Sequence, residues 1–136
     1  MNKKNILETA RFVYFGYPYF QERFKFSEIV SLVDRMERNI IIIKNKGEIE
    51  GIGMYFMIDD ITLKRIKSFV INLSKEEGLN ELFNRPGKNL HFIGVIALNI
   101  KIILKGLKIL EKKLRPRTIS WFKPNMYDFR MIKGVI

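Results

Sequence analysis

His91 is the only side chain of this 136-residue chain expected to titrate near neutrality, and it sits in an apolar run, Leu90-His91-Phe92-Ile93-Gly94-Val95-Ile96-Ala97. An imidazole at such a position can act as a general base, or it can be a structural histidine satisfied by a neighbouring hydrogen bond. Ser120 and Tyr127 carry hydroxyls able to donate or relay a proton; each also reads as an ordinary hydroxyl on a polar sheet face. Glu50, Asp59 and Asp60 offer carboxylates that could orient an amine, or serve as turn and edge residues that discourage strand aggregation. Lys101, Lys105, Lys108 and Lys112, extended by Lys113, Arg115 and Arg117, form the densest charge feature. That stripe could hold phosphates, or be a solvated helix face.

Composition removes several chemistries. The chain has no cysteine, so disulfides, thiolate metal sites and a cysteine nucleophile are excluded, and a single histidine excludes a multi-histidine metal site. A hydrophobic content of 47% suits one core, so residues 1–136 are expected to form a single domain. The longest nearly uncharged stretch, Leu90 to Ile100, is about half of the roughly 20 residues a membrane span needs. No membrane segment or secretion signal is expected, which leaves a cytoplasmic location by default. The net charge of +11 favours anionic partners such as nucleic acid, a phosphorylated cofactor or an acidic protein.

The elements that must position these residues follow from periodicity and breakers. Ile6 to Phe15 is helix-compatible and ends near Gly16 and Pro18, followed by an aromatic-rich turn through Phe20. Ser27 reads as the N-cap of a helix from Glu28 to Arg38. The β-branched run Asn39–Ile43, the turn Asn45-Lys46-Gly47 and the return strand Glu48–Ile58 make a hairpin, with Gly51 and Gly53 marking a bulge or a close approach by another backbone. Thr62 to Leu73 fits helix and strand equally. Ser74 and Glu77 make a capping box for a short helix to about Phe83, and Leu90–Ala97 reads as the buried central strand. Ile100, Ile103, Leu104, Leu107, Leu110 and Leu114 recur at helical spacing, so Asn99–Leu114 is the strongest helix, stopped by Pro116. Thr118–Phe122 and Tyr127–Ile132 read as closing strands. A hairpin plus a strand–helix–strand unit gives a mixed α/β fold, with a mixed, mostly antiparallel central sheet flanked by helices.

This order of elements resembles the GNAT superfamily of acyl-CoA N-acyltransferases, and within it the small divergent GNAT-like proteins of bacteriophages. Gly47–Phe56 as the long hairpin, Leu90–Ala97 as the central strand and Thr118–Phe122 as the strand after the cofactor helix carry the likeness. The resemblance implies transfer of an acyl group from acetyl-CoA or another acyl-CoA to an amine, on a small molecule or a protein lysine. It implies a cofactor surface at Ile93, Val95, Ile96 and Ala97, where a splayed strand offers backbone groups to the pantetheine arm. Lys101 and Lys105 would meet the phosphates. It makes His91 the base that deprotonates the amine, with Ser120 as a relay and Tyr127 as the acid that protonates the departing thiolate.

One departure from the family pattern is plain. Between Ala97 and Leu107 the only glycine is Gly106, and no Gly-x-Gly spacing exists to bring backbone amides against a pyrophosphate. The alternative is therefore a non-catalytic basic binding protein of the same fold. Its Lys101-Lys105-Lys108-Lys112 face would hold nucleic acid, or a phage structural or host defence protein.

Overall fold

The computed structural model describes residues 1–16, 18–68, 71, 76–122 and 129–133, with the side chains of Tyr19 and Lys133 outside that description. Along the chain run α1 (Lys3–Gly16), α2 (Pro18–Arg23), α3 (Phe26–Arg35), β1 (Ile40–Asn45), β2 (Glu48–Ile58), α4 (Asp60–Lys67), α5 (Glu76–Phe83), β3 (Asn89–Ala97), α6 (Ile100–Leu114), β4 (Thr118–Phe122) and β5 (Phe129–Lys133). The strands form one mixed sheet in the order β1-β2-β3-β4-β5. The mixed α/β class expected from the sequence is therefore the class observed. Tertiary contacts group the chain into two units, Met1–Met54 with Gly94–Leu110, and Tyr55–Ile93 with Glu111–Ile136.

In the first unit, α1 buries Thr9, Ala10 and Val13, and α3 buries Ile29 and Val33. Ser27 is not the cap of α3. The helix starts two residues earlier, at Phe26 rather than Glu28, with Lys25 in extended geometry before it. Glu28 Oε1 accepts the Lys25 N–H at 2.9 Å, so the glutamate rather than the serine defines the start. The aromatic stretch read as a turn contains α2, which opens on Pro18, a residue preset for a first helical position.

The β1–β2 hairpin closes through Lys46 and Gly47, both at positive φ (53° and 81°), the combination that matches the twist of paired strands. Its register runs from Asn45↔Glu48 to Ile40↔Met54 and slips between Ile43 and Lys44, leaving Glu50 as the extra residue of a bulge. Gly51 follows it for a steric reason. A Cβ there would lie 2.5 Å from Ile102 Cγ2 and 3.3 Å from Ala97 Cβ, so α6 and the end of β3 both pack onto the bare backbone.

The second unit is held by a polar knot at the start of β3. Asn89 Nδ2 donates to the Ile58 carbonyl at 3.1 Å and to Asp60 Oδ1 at 2.8 Å, while Thr118 Oγ1 donates to Asn89 Oδ1 at 2.8 Å. Arg117 pairs with the same Asp60 oxygen at 2.7 Å. The ambiguous stretch after Ile61 is helical: Asp59 caps α4 by accepting the Thr62 N–H at 2.7 Å. Ser74, expected to cap the next helix, lies outside the described residues. β3 and β4 pair in parallel from Asn89↔Thr118 to Phe92↔Trp121, and β4 and β5 pair antiparallel. Around these strands Phe56, Ile58, Leu63, Ile66, Leu82 and Leu90 are fully buried.

Candidate cofactor site

β3 does not end where its pairing with β4 ends. Among the described residues the parallel register stops at Phe92↔Trp121, while β3 runs on through Ile93, Gly94, Val95 and Ile96 to Ala97. The alternation of a strand sends Gly94 and Ile96 to one face and Val95 and Ala97 to the other. A Cβ on Gly94 would approach Met54 Cε and the Phe20 ring, and one on Gly16 would meet Ile96 Cγ2 at 2.7 Å, so that face is filled by α1 and α2. Ile96 is buried, so its side chain presents no surface to a ligand. Val95 is 40% exposed despite its place in a central strand.

Beyond Ala97 the chain turns into α6 with its amides partly committed. The Leu98 N–H donates to the bulge carbonyl of Glu50 at 3.0 Å. Asn99 Oδ1 accepts the Ile102 N–H at 3.2 Å, a side-chain cap at the helix start. The N–H groups of Ile100 and Lys101 have no intrahelical acceptor, as at any helix start, and meet none among the described residues. They sit at the positive end of a 15-residue helix, flanked by the exposed side chains of Lys101 and Lys105. An anion arriving there meets two backbone donors at the positive end of the helix. Neither the Asn99 cap nor the Glu50 contact was read from the sequence. Asparagine directly before an apolar-periodic run was the available signal for the first. Nothing local signals the second.

His91 and Ser120 lie in the other unit, brought together by the β3–β4 register that sets them opposite each other. His91 Nδ1 and Ser120 Oγ are 2.8 Å apart and both residues are fully buried. The imidazole stacks on Phe129, with centroids 6.0 Å apart and planes 8° from parallel, and receives Phe122 edge-on. Its Nε2 has no hydrogen-bond partner among the described residues. Burial pushes the His91 pKa down to about 3, which corrects the expectation of a group titrating near neutrality: the ring is neutral at physiological pH. Tyr127 lies outside the described residues.

The carboxylates have structural partners. The hydrogen bonds from Thr62 hold Asp59 below the ordinary carboxylate range, and those from Asn89, with Arg117 next to it, do the same for Asp60. The structure thus gathers Val95, Ile96, Ala97, Lys101 and Lys105 in one unit, and Ile93, His91 and Ser120 in the other.

No protein-family model and no curated protein matches this sequence. Among solved structures, the chain is similar to a GNAT-like decarboxylase, GphF, in complex with isobutyryl-CoA. The TM-score is 0.60 at 12% identity, over 89% of this chain and 62% of the other, so this chain spans under two thirds of that protein's length. The likeness shows a GNAT-like fold. Among the described residues no helix is long and apolar enough to cross a membrane.

Proposed function

We propose that this chain binds an acyl-CoA along the β3 run-on and the α6 entrance, and transfers the acyl group to an amine. The observation that carries the reading is the extension of β3 past its last residue in register with β4, leading into helix-start amides flanked by two lysines. The backbone from Ile93 to Ala97 offers the polar groups that an extended pantetheine arm needs, in the manner of an added strand. Lys101, Lys105 and the Ile100 and Lys101 amides take the phosphates, with point charges doing much of what a glycine-rich loop does through backbone alone. The bound isobutyryl-CoA of the GphF structure supports an acyl-CoA as the ligand class for this fold.

In the transfer step the amine nitrogen attacks the thioester carbonyl, a C–N bond forms, the C–S bond breaks, and the departing thiolate takes up a proton. A ring whose pKa is about 3 is a weak base, so this reading sends the amine's proton to solvent and makes the His91–Ser120 pair structural.

Calorimetric titration with acetyl-CoA and isobutyryl-CoA tests the binding. A ligand at about 100 times its Kd stabilises the fold by about 2.7 kcal/mol, which a thermal melt resolves. Lys101→Ala and Lys105→Ala should each weaken binding, and pantetheine lacking the phosphates should bind far less. Absence of heat and of thermal stabilisation at millimolar acyl-CoA would remove the proposal. Thiol release that depends on an added amine would support transfer, whereas carbon dioxide release from a carboxylated acyl-CoA without amine would replace it with decarboxylation.

A further inference from the structure

The lysines of α6 run past the proposed cofactor surface, with Lys108 and Lys112 lying beyond it. Lys101, Lys105, Lys108 and Lys112 are all exposed, and none forms an ion pair among the described residues. Lysines three and four apart on a helix repel one another, so the stripe opposes the helix that bears it. At about 100° per residue the four fall in one band about 60° wide, opposite the buried Gly106 and Leu110. Exposed Ile100 and Leu104 flank the band on one side and Ile109 flanks it on the other.

That arrangement discriminates between anionic partners. A helix lying on an anionic bilayer puts its apolar ridge into the lipid and its lysines at the sides, and here the lysines stand outermost with the aliphatic residues beside them. A protein interface has an apolar, often aromatic centre and a charged rim with lysine depleted; here the charge is central, and no aromatic residue occurs between Leu98 and Leu114. A phosphate backbone asks only for a row of cations. With a rise of 1.5 Å per residue, Lys101 and Lys112 lie about 16 Å apart along the axis. Over that length one DNA strand presents about five phosphates.

We infer that the outer face of α6 is a binding site for the phosphate backbone of nucleic acid, held through Lys101, Lys105, Lys108 and Lys112 without base readout. The lysine band presents no Arg, Asn or Gln of the kind that reads base edges and no aromatic ring for bases to stack on. Lys101 and Lys105 are shared with the proposed cofactor surface, whereas Lys108 and Lys112 lie outside it, so the double variant at those two positions tests this inference apart from acyl-CoA binding.

Fluorescence anisotropy of the full chain with a labelled mixed-sequence duplex, across salt from about 50 to about 200 mM, tests it. Four released counterions give a log–log slope of about −3.6, an affinity loss of about 150-fold over that range. For Lys108→Ala/Lys112→Ala the slope should fall to about −1.8, a loss of about 12-fold, with thermal stability and acetyl-CoA affinity retained. Absence of binding at the lowest salt would overturn the inference, as would an unchanged slope in the double variant. A strong preference for one duplex sequence over another, or tighter binding to phosphatidylserine vesicles or polyglutamate than to the duplex, would overturn it as well.

Discussion

Acidification should destabilise this protein through one ring. An unfolded chain protonates His91 at about 6.5, while the folded protein keeps it neutral down to about 3 because the imidazole is sealed among Phe122, Phe129 and Ser120. Above pH 6.5 both states are neutral and the burial costs nothing in linkage. Below it the unfolded state takes up a proton that the native state refuses, so stability is lost progressively as pH falls towards 3. Between pH 7 and pH 5 the loss is about 2 kcal/mol, from about 1.4 kcal/mol per pH unit. No other histidine shares the interval, and Asp59 and Asp60, held below the usual carboxylate range, add their losses only at lower pH. Urea unfolding followed by the fluorescence of Trp121, the only tryptophan, reads this as a midpoint lowered by about 1 M at an m-value of about 2 kcal/mol/M. His91→Asn keeps a group able to bond Ser120 and removes the titration, so its midpoint should hardly move between the two pH values. Should that variant fail to fold, the proton resonances of the single imidazole in the native protein still decide: a midpoint near 6 would refute the burial argument, as would a wild-type stability unchanged from pH 7 to pH 5.

Glycine substitutions should separate close backbone contact from simple helix propensity. Gly87→Ala drives a methyl group into the backbone of Ile58 and Asp59, which cannot rotate aside, and should cost about 3 kcal/mol or more in urea unfolding. Gly106→Ala should instead stabilise by up to about 1 kcal/mol, because its methyl group would rest 3.9 Å from Ile43 inside a helix that gains from alanine. Asn89→Ala strips partners from the Ile58 carbonyl and the Thr118 hydroxyl together, and should lower stability by about 2 to 4 kcal/mol without altering acyl-CoA stoichiometry in calorimetry.

The fold was legible wherever one local signal dominated. The hairpin was readable because Gly47 follows Lys46 between two apolar runs, and α6 because six aliphatic residues keep one period across fifteen positions. The start of α3 was misread because Ser27 has the better capping type, yet Glu28 reaches back to the Lys25 amide and wins the first turn. α4 was ambiguous because Leu63 and Ile66 suit either period, and its decisive feature is a single hydrogen bond from Thr62 to Asp59. Of the candidate cofactor residues, only their placement on β3 and α6 was legible: Val95 is 40% exposed where the sequence reads a buried strand, while Lys101 and Lys105 lie exposed in the first two turns of α6. The state of His91 was not legible, because its pKa depends on Phe122, Phe129 and Ser120, more than two dozen residues away in the chain.

The absence of a glycine-rich turn at the α6 entrance has a physical counterpart in this structure. Asn99 spends the Ile102 amide on its own side chain, and Glu50 takes the Leu98 amide through its carbonyl, so the entrance is stable without a ligand. A glycine loop keeps its amides free and depends on an anion to satisfy them. Here two helix-start amides remain, and in the proposed acyl-CoA binding Lys101 and Lys105 supply most of the attraction as flexible, hydrated charges. Binding through lysines is more easily screened by salt than binding through a buried loop of amides. On the two proposals made above, Lys101 and Lys105 serve both phosphate-bearing ligands, and Lys108 and Lys112 serve the polymer alone.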